Sequence, residues 1–395
     1  MNFKEIDGTS VFYIGLNDSD RVIFDELIPL EKGTSYNSFL IKGSEKTAII
    51  DTMYPPFSDI YLNNLDNNDI KTVDYIIANH GEQDHSGSIP YLLQKYPEAK
   101  VVTNAKCKTN LVEMLLIDET KIITVNDKEE LSLGDKTLQF IMAPAVHWPD
   151  TMFCYLKEDK ILFTCDFLGA HLPFDDLWAK CDDELYSMAK RYYAEIMMPF
   201  RVMCSKYIKV VRDINPNYVM PSHGPLYKNP DFILNAYADW TSDVPKNLVV
   251  MPYVSMYGST EEMAEYVKKG LENKGIKVYA HDLIRDDLGE LALQLVDCAT
   301  ILVGASMVLA GPHPAAISAC VLVNALKPKL KFASFIGSYG WGGNLFGVLS
   351  TLFTSIKPEV IEPVQIKGKL KNDDYKKLDI LINRIAEKHK SIGIN

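Results

Sequence analysis

His80-Gly81-Glu82-Gln83-Asp84-His85 places two imidazoles and two carboxylates within six residues, directly after an apolar run at 73–78. Nitrogen and oxygen donors spaced in this way can converge on a pair of metal ions where a strand ends in a tight loop. The chain has only eight His, so two of them beside two acids argue against a merely solvated turn. Other apolar runs end in the same manner. The run at 138–143 leads through Pro144-Ala145-Val146 to His147, the run at 161–165 ends in Asp166, and the run at 218–222 ends in His223. His80, Glu82, Asp84, His85, His147, Asp166 and His223 thus lie at four strand ends, a constellation with the character of a metal centre.

The elements that must carry these groups are short and β-rich. Runs at 11–15, 37–42, 47–51, 101–104, 122–125, 138–143, 152–156 and 161–165 read as strands, with helices at 89–96 and 182–214. Strands with helices over their outer faces predict an α/β sandwich of two sheets. With 395 residues the chain exceeds one typical core, and the polar stretch Thr241-Ser242-Asp243-Val244-Pro245-Lys246-Asn247 is suited to a boundary. The expected domains are therefore 1–245 and 246–395.

Composition narrows the function classes. Hydrophobic content of 47% with 24% charged residues is ordinary for a globular protein, and a net charge of -11 argues against nucleic-acid or anionic-membrane partners. The first residues lack the apolar core of a signal peptide, and seven scattered Cys form no CxxC pair. Both features point to a reducing cytoplasm. The uncharged stretch at 300–326 is long enough to span a bilayer, but Gly311-Pro312-His313-Pro314 would break it, so it reads as strand, loop and buried helix.

Beyond the boundary a second α/β pattern begins. A buried strand at 248–254 is followed by Ser255-Met256-Tyr257-Gly258-Ser259-Thr260 and an amphipathic helix at 261–274. Small residues between strand and helix can turn backbone N–H groups and hydroxyls toward a phosphate. No GxxxxGKS/T or GxGxxG is present, so neither a nucleoside triphosphate nor a dinucleotide is indicated. A strand at 300–304 runs into Ala305-Ser306-Met307, and a strand at 332–336 runs into Gly337-Ser338-Tyr339-Gly340-Trp341-Gly342-Gly343. Three such loops at the ends of parallel strands make a crevice for a flat ring, with Trp341 placed to stack on it. His313 reads equally as structural or ligand-facing, and His281 and His389 read as surface residues.

The first half resembles the metallo-β-lactamase fold, whose signature HxHxDH is followed by a His, a bridging Asp and a last His. Glu82 stands where that signature has its second His. The resemblance implies His80, Glu82 and His147 on one metal, Asp84, His85 and His223 on the other, and Asp166 between them. A carboxylate in place of an imidazole adds a hard, charged donor and favours iron over zinc. The second half resembles flavodoxin, which implies FMN, with its phosphate on 255–260 and Ser306, Met307 and the residues 338–343 around the isoalloxazine. Together the halves resemble the flavodiiron proteins, and His147-Trp148-Pro149-Asp150 belongs to that likeness.

Membership of that family implies reduction of dioxygen to water, or of nitric oxide to nitrous oxide, at a non-haem diiron centre fed by FMN. Two ferrous ions and one reduced flavin hold the four electrons that dioxygen requires. The family further implies a head-to-tail homodimer or a dimer of dimers, with electrons from a rubredoxin-like protein or a deazaflavin. Tyr193 is expected to reach the diatomic ligand, and His171 to orient or replace a metal ligand. Two rivals stand beside this reading. One is a zinc hydrolase with a flavin sensor domain, against which Glu82 and Asp166 argue; the other is an electron carrier with a vestigial metal domain.

Overall fold

A computed structural model describes residues 3–394 and divides the chain into two compact units, 1–241 and 242–395. In the first unit, seven strands form one sheet and five form a second. Alternation along the strands sets the layers. In Thr47–Ile50, Ala48 and Ile50 face the second sheet, while Ile49 faces the helices outside. The inter-sheet core joins Phe39, Ile41 and Ile77 of one sheet to Phe140, Met152 and Phe163 of the other. Helices Ser58–Asn67, Ile89–Lys95 and Ala105–Leu115 cover the outer face of the first sheet. Across the second sheet, Phe153 meets Tyr207 of helix Arg201–Ile214 at 5.7 Å between ring centroids. The result is an αββα sandwich.

The span 182–214, expected as one helix, is divided. Helix Asp183–Tyr192 passes into a π turn, Tyr193–Met197, then a 3-10 turn, Met198–Phe200, before Arg201–Ile214 begins. Pro199 has no N–H to donate to a continuous ladder, which accounts for the interruption.

The second unit is built on a parallel sheet ordered Lys277–Asp282, Leu248–Tyr253, Thr300–Val308, Phe332–Tyr339 and Glu359–Val360, with Val364–Lys367 also paired to Phe332–Tyr339. This is the flavodoxin strand order, with its reversal beside the first strand. Helices Ser259–Glu272 and Asn372–Ser391 pack on one face through Met263, Val267, Leu378 and Ile382. Gly270 lets them approach, since a Cβ there would overlap Ile382. Two strands run further than expected. Parallel pairing continues to Ser306 opposite Ser338, and Thr300–Val308 then folds back through Leu309-Ala310, both at positive φ, onto Gly311–Pro312. Ser306, Met307, Ser338 and Tyr339 therefore sit on strand ends, where the ladder satisfies their backbone, rather than in loops. Among the described residues no helix is long and apolar enough to cross a membrane.

Two histidines expected at the surface are buried. His281 is 2% exposed and His389 is 1% exposed. His389 ties the last turn of the C-terminal helix to the sheet, with Nδ1 2.7 Å from Asn247 Oδ1 and Nε2 2.7 Å from Thr300 Oγ1. Nδ1–H donating to the amide oxygen and Nε2 accepting from the hydroxyl require a neutral ring. Burial pushes its pKa down to about 4. Because the folded value lies below the unfolded value of about 6.5, this contribution is complete above pH 6.5 and is lost as pH falls toward 4. After discounting for solvent screening it is on the order of 1–2 kcal/mol. Urea unfolding at pH 7.5 and pH 4.5 should show a larger loss for the native protein than for His389→Gln; equal losses would refute the assignment.

Candidate metal centre and flavin crevice

Each of the four strand ends delivers its ligands to one buried place. His80 follows strand Tyr75–Ile77, and Asp84 and His85 lie on the single turn Gln83–Ser86. Asp166 follows Ile161–Cys165 and His223 follows Tyr218–Pro221. The donor atoms of His80, Glu82, His147 and Asp166 all lie within 4.8 Å of one another, as do those of Asp84, His85 and His223. Asp166 stands between the groups. Its Oδ2 is 3.5 Å from His147 Nε2, and its Oδ1 is 2.9 Å from His85 Nε2 and 3.4 Å from His223 Nε2. Glu82 Oε2 lies 3.1 Å from His80 Nε2 and 3.2 Å from His147 Nε2, so the carboxylate at this position joins the first group.

The electrostatics are those of a cation site. Burial opposes a charged His147, yet hydrogen bonds to Asp166 and Glu82 outweigh it and raise its pKa to about 9. His223 is lifted to about 10 against burial, by Asp166 and Asp84. Glu82, in spite of burial, is lowered to about 2 by His147 and His80. Asp84 turns Oδ2 to His223 Nε2 at 3.1 Å and Oδ1 to His85 Nε2 at 3.3 Å, ion-pair contacts that lack hydrogen-bond alignment. Protons shared among these groups hold a place that dications take, since imidazole ligates in its neutral form. Mixed nitrogen and carboxylate donors fit two irons.

Several supporting residues were not singled out from the sequence. Asp150 Oδ1 holds His80 Nδ1 at 3.0 Å, turning Nε2 to the cluster, while its Oδ2 accepts from Gly81 N at 2.9 Å and Asn110 Nδ2 at 3.0 Å. Gly81 is needed there, because a Cβ would lie 2.8 Å from Asp150 Oδ2. An acid three residues past His147, closing the run His147-Trp148-Pro149-Asp150, was its only sequence signal. Asp150→Ala should weaken metal binding about 10- to 100-fold by freeing the His80 ring. Titration of the apoprotein with ferrous iron checks this, and unchanged affinity would refute it. Cys165 sets its thiol 3.8 Å from Asp166 Oδ2, and burial pushes that thiol's pKa well up, so it remains protonated.

The two residues expected beside the ligands differ in placement. Tyr193 is corrected: it is buried, with its hydroxyl 3.4 Å from the main-chain oxygen of Trp240. Its neighbour Tyr192 faces the cluster instead, donating to Asp166 Oδ1 at 3.1 Å. A side chain one position along a helix turns by about 100°, and the π turn begins at this point. His171 lies beside the second group, its ring 5.2 Å from that of His223 and its Nδ1 2.9 Å from Thr34 Oγ1. It belongs to neither donor group. Burial, then the neighbouring His223 charge, depresses its pKa well below the usual value and keeps the ring neutral.

In the second unit a cavity of ≈ 430 Å³ opens at the carboxyl ends of the parallel strands. Met256, Tyr257 and Ser259 line one side, Ser306 and Met307 the floor strand, and Ser338, Tyr339, Gly340 and Trp341 the other side. Ser255, Gly258 and Thr260 shape the first loop rather than line it. Ser255 Oγ accepts from Gly258 N at 3.1 Å, Gly258 takes φ +86°, and Thr260 Oγ1 meets Ser338 Oγ at 3.0 Å. The 14-residue helix Ser259–Glu272 starts there, aiming free N–H groups at a phosphate position. Gly342 and Gly343 stand outside the lining; a Cβ on Gly343 would overlap Met307 Cε, which closes the floor. Gly368 and Lys369, unforeseen in the sequence, complete the wall, and Gly368 N donates to Tyr339 O at 3.0 Å. Ser306 Oγ is buried at the cavity without a partner, a donor suited to the rim of a flavin. Trp341 is 69% exposed, so its ring is open to stacking. His313 is structural, its Nδ1 accepting from Ala315 N to cap helix Pro314–Leu326.

Comparison with known proteins agrees with both halves. Residues 34–224 match the model of the ODP family beta lactamase. The nitric oxide reductase of Moorella thermoacetica is 31% identical over 361 residues, covering 89% of this chain and 90% of that one. Flavo-diiron protein FprA2 of Clostridium acetobutylicum is 30% identical over 368 residues, covering 89% and 91%. The structure of rubredoxin oxygen:oxidoreductase from Desulfovibrio gigas superposes with a TM-score of 0.94 at 25% identity, over 99% of each chain. A carboxylate-bearing metal cluster at four strand ends, a crevice of the flavodoxin type, and relatives matched across both units have one explanation: this chain belongs to the flavodiiron proteins.

Proposed function

We propose that the protein is an oxidoreductase that reduces dioxygen to water at the cluster of His80, Glu82, Asp84, His85, His147, Asp166 and His223, and nitric oxide to nitrous oxide as a second reaction. The observation that carries the reading is Glu82 within 3.2 Å of both His80 and His147, in a chain that also carries a flavin crevice. When bound, two irons and FMN supply the four electrons of dioxygen reduction. The chain's own part is positional. Asp150 orients His80, Asp166 spans the two groups, and Tyr192 presents a hydroxyl proton to Asp166 Oδ1. Five of the seven ligands are buried, while Glu82 and His147 are partly exposed and leave the first group open on one side. Relatives named for nitric oxide and for oxygen with rubredoxin support both gases and a rubredoxin-like donor; a deazaflavin is the second candidate. A head-to-tail homodimer, or a pair of them, would bring one chain's FMN beside its partner's irons. Seven unpaired cysteines suit a reducing cytoplasm.

Steady-state consumption of each gas, with excess reduced rubredoxin and the iron- and FMN-loaded protein, tests the ordering. Dioxygen should be consumed faster; nitric oxide consumed much faster would reverse it, and consumption of neither would overturn the reading.

A further inference from the structure

The flavin crevice is uncharged but for one side chain. Among the described residues that line it, Lys369 alone carries a charge; hydroxyls, thioethers, aromatic rings and glycine backbone make up the rest. Lys369 forms no ion pair among the described residues, whereas Lys376, Lys377 and Lys388 further along the chain are each held by a carboxylate. Its neighbours Lys367 and Lys371 are exposed as well but lie outside the lining. The bend that carries Lys369 is fixed: Gly368 takes φ +73°, which a side chain would strain, and its N–H donates to Tyr339 O at 3.0 Å. The fold also decides which end of a flavin Lys369 meets. Strand Val364–Lys367 sets Ile366 opposite Ser338, and Ser338 Oγ lies 3.0 Å from Thr260 Oγ1 in the first turn of helix Ser259–Glu272. The helix that follows the bend, Asn372–Ser391, packs on that same first turn, where Tyr375 Oη donates to Glu262 Oε1 at 2.7 Å. Lys369, between this strand and this helix, stands on the side of the crevice where the free N–H groups of helix Ser259–Glu272 await an anion.

The same first turn carries Glu261 and Glu262, in a chain of net charge -11. A phosphate monoester brings about -1.5 to -2 charges of its own at pH 7, so the helix start alone would set it beside two acids. One cation at the crevice offsets that repulsion. On the reading that this unit holds FMN, we propose that Lys369 is the counter-charge to its phosphate, and the residue by which the protein selects a 5′-phosphorylated flavin over riboflavin. The ammonium makes a charge-assisted contact for which riboflavin has no group, whereas Trp341 and Ser306 serve the ring of either flavin alike. Selection for the phosphate is thus separate from affinity for the ring. Lys369 is exposed, so salt screens the contact.

The full-length protein, iron-loaded and freed of flavin, is titrated with FMN and with riboflavin, each followed by the quenching of flavin fluorescence. Lys369→Gln should bind FMN about tenfold more weakly, the low end for a charged hydrogen bond, while its riboflavin affinity stays within about twofold of native. Lys369→Arg, which keeps the charge, should bind FMN nearly as the native protein does. Raising sodium chloride from about 0.05 to about 0.5 M should weaken FMN binding more in the native protein than in Lys369→Gln. Lys367→Gln removes the same charge two residues away, outside the lining, and should bind both flavins as the native protein does. Three results would each overturn the proposal: unchanged FMN affinity in Lys369→Gln, an equal loss of FMN and riboflavin there, or a loss as large in Lys367→Gln, which would reduce the effect to net charge. Failure of the native protein to bind either flavin would instead overturn the flavin reading beneath it.

Discussion

Asp166→Asn is expected to hold less than one iron per chain and to consume dioxygen and nitric oxide on the order of a thousandfold more slowly, a loss of about 4 kcal/mol in transition-state stabilisation. The carboxylate sends one oxygen toward His147 and the other toward His85 and His223. An amide keeps one acceptor and turns an NH₂ toward the other group, so one metal loses a ligand and meets a donor hydrogen. Four imidazoles lie within 3.8 Å of this carboxylate and lose its charge together. Iron assay of the purified variant, with gas consumption under excess donor, is the check. Two irons retained, with rates within tenfold of native, would refute the spanning role.

Glu82→His should change the metal itself. Restoring an imidazole at this position removes a negative charge and a hard oxygen from the first group, leaving a nitrogen-rich set that borderline zinc prefers. The side chain is 19% exposed, so a ring has room. In medium supplying both metals, the iron-to-zinc ratio should fall at least about tenfold, and gas reduction should fall with it because zinc has no redox couple. Elemental analysis decides the matter: a variant that keeps its iron and its gas reduction would show that Glu82 does not select the metal.

Ligand types and strand ends could be read from the sequence because metal chemistry constrains both residue identity and spacing. His80, Asp84 and His85 are local, and His147, Asp166 and His223 each close an apolar run. The sandwich and the parallel sheet followed from strand and helix periodicity in the same way. What escaped depends on contacts distant in sequence. Asp150 orients His80 across 70 residues, and Lys369 reaches the crevice from the bend after Val364–Lys367, a strand paired only in the folded sheet. The exchange of Tyr193 for Tyr192 came from reading 182–214 as an unbroken helix. His281 and His389 carry polar rings that suggest a surface, whereas His389 is buried because Asn247 and Thr300 satisfy both of its nitrogens. Ser306 and Ser338 looked like loop residues because a strand's end is set by its partner, not by its own sequence.

The inter-sheet core carries a further consequence. Phe163 precedes Asp166 by three residues and packs on Phe39 of the opposite sheet at 5.1 Å, while Met220, just before His223, lies in the same core. Ligands mounted on both sheets have correct spacing only while the two layers are docked. Metal affinity in this protein is therefore a gauge of sheet alignment, and a substitution deep in that core, far from any donor atom, should register first as a faster loss of iron to a chelator, before any loss of secondary structure.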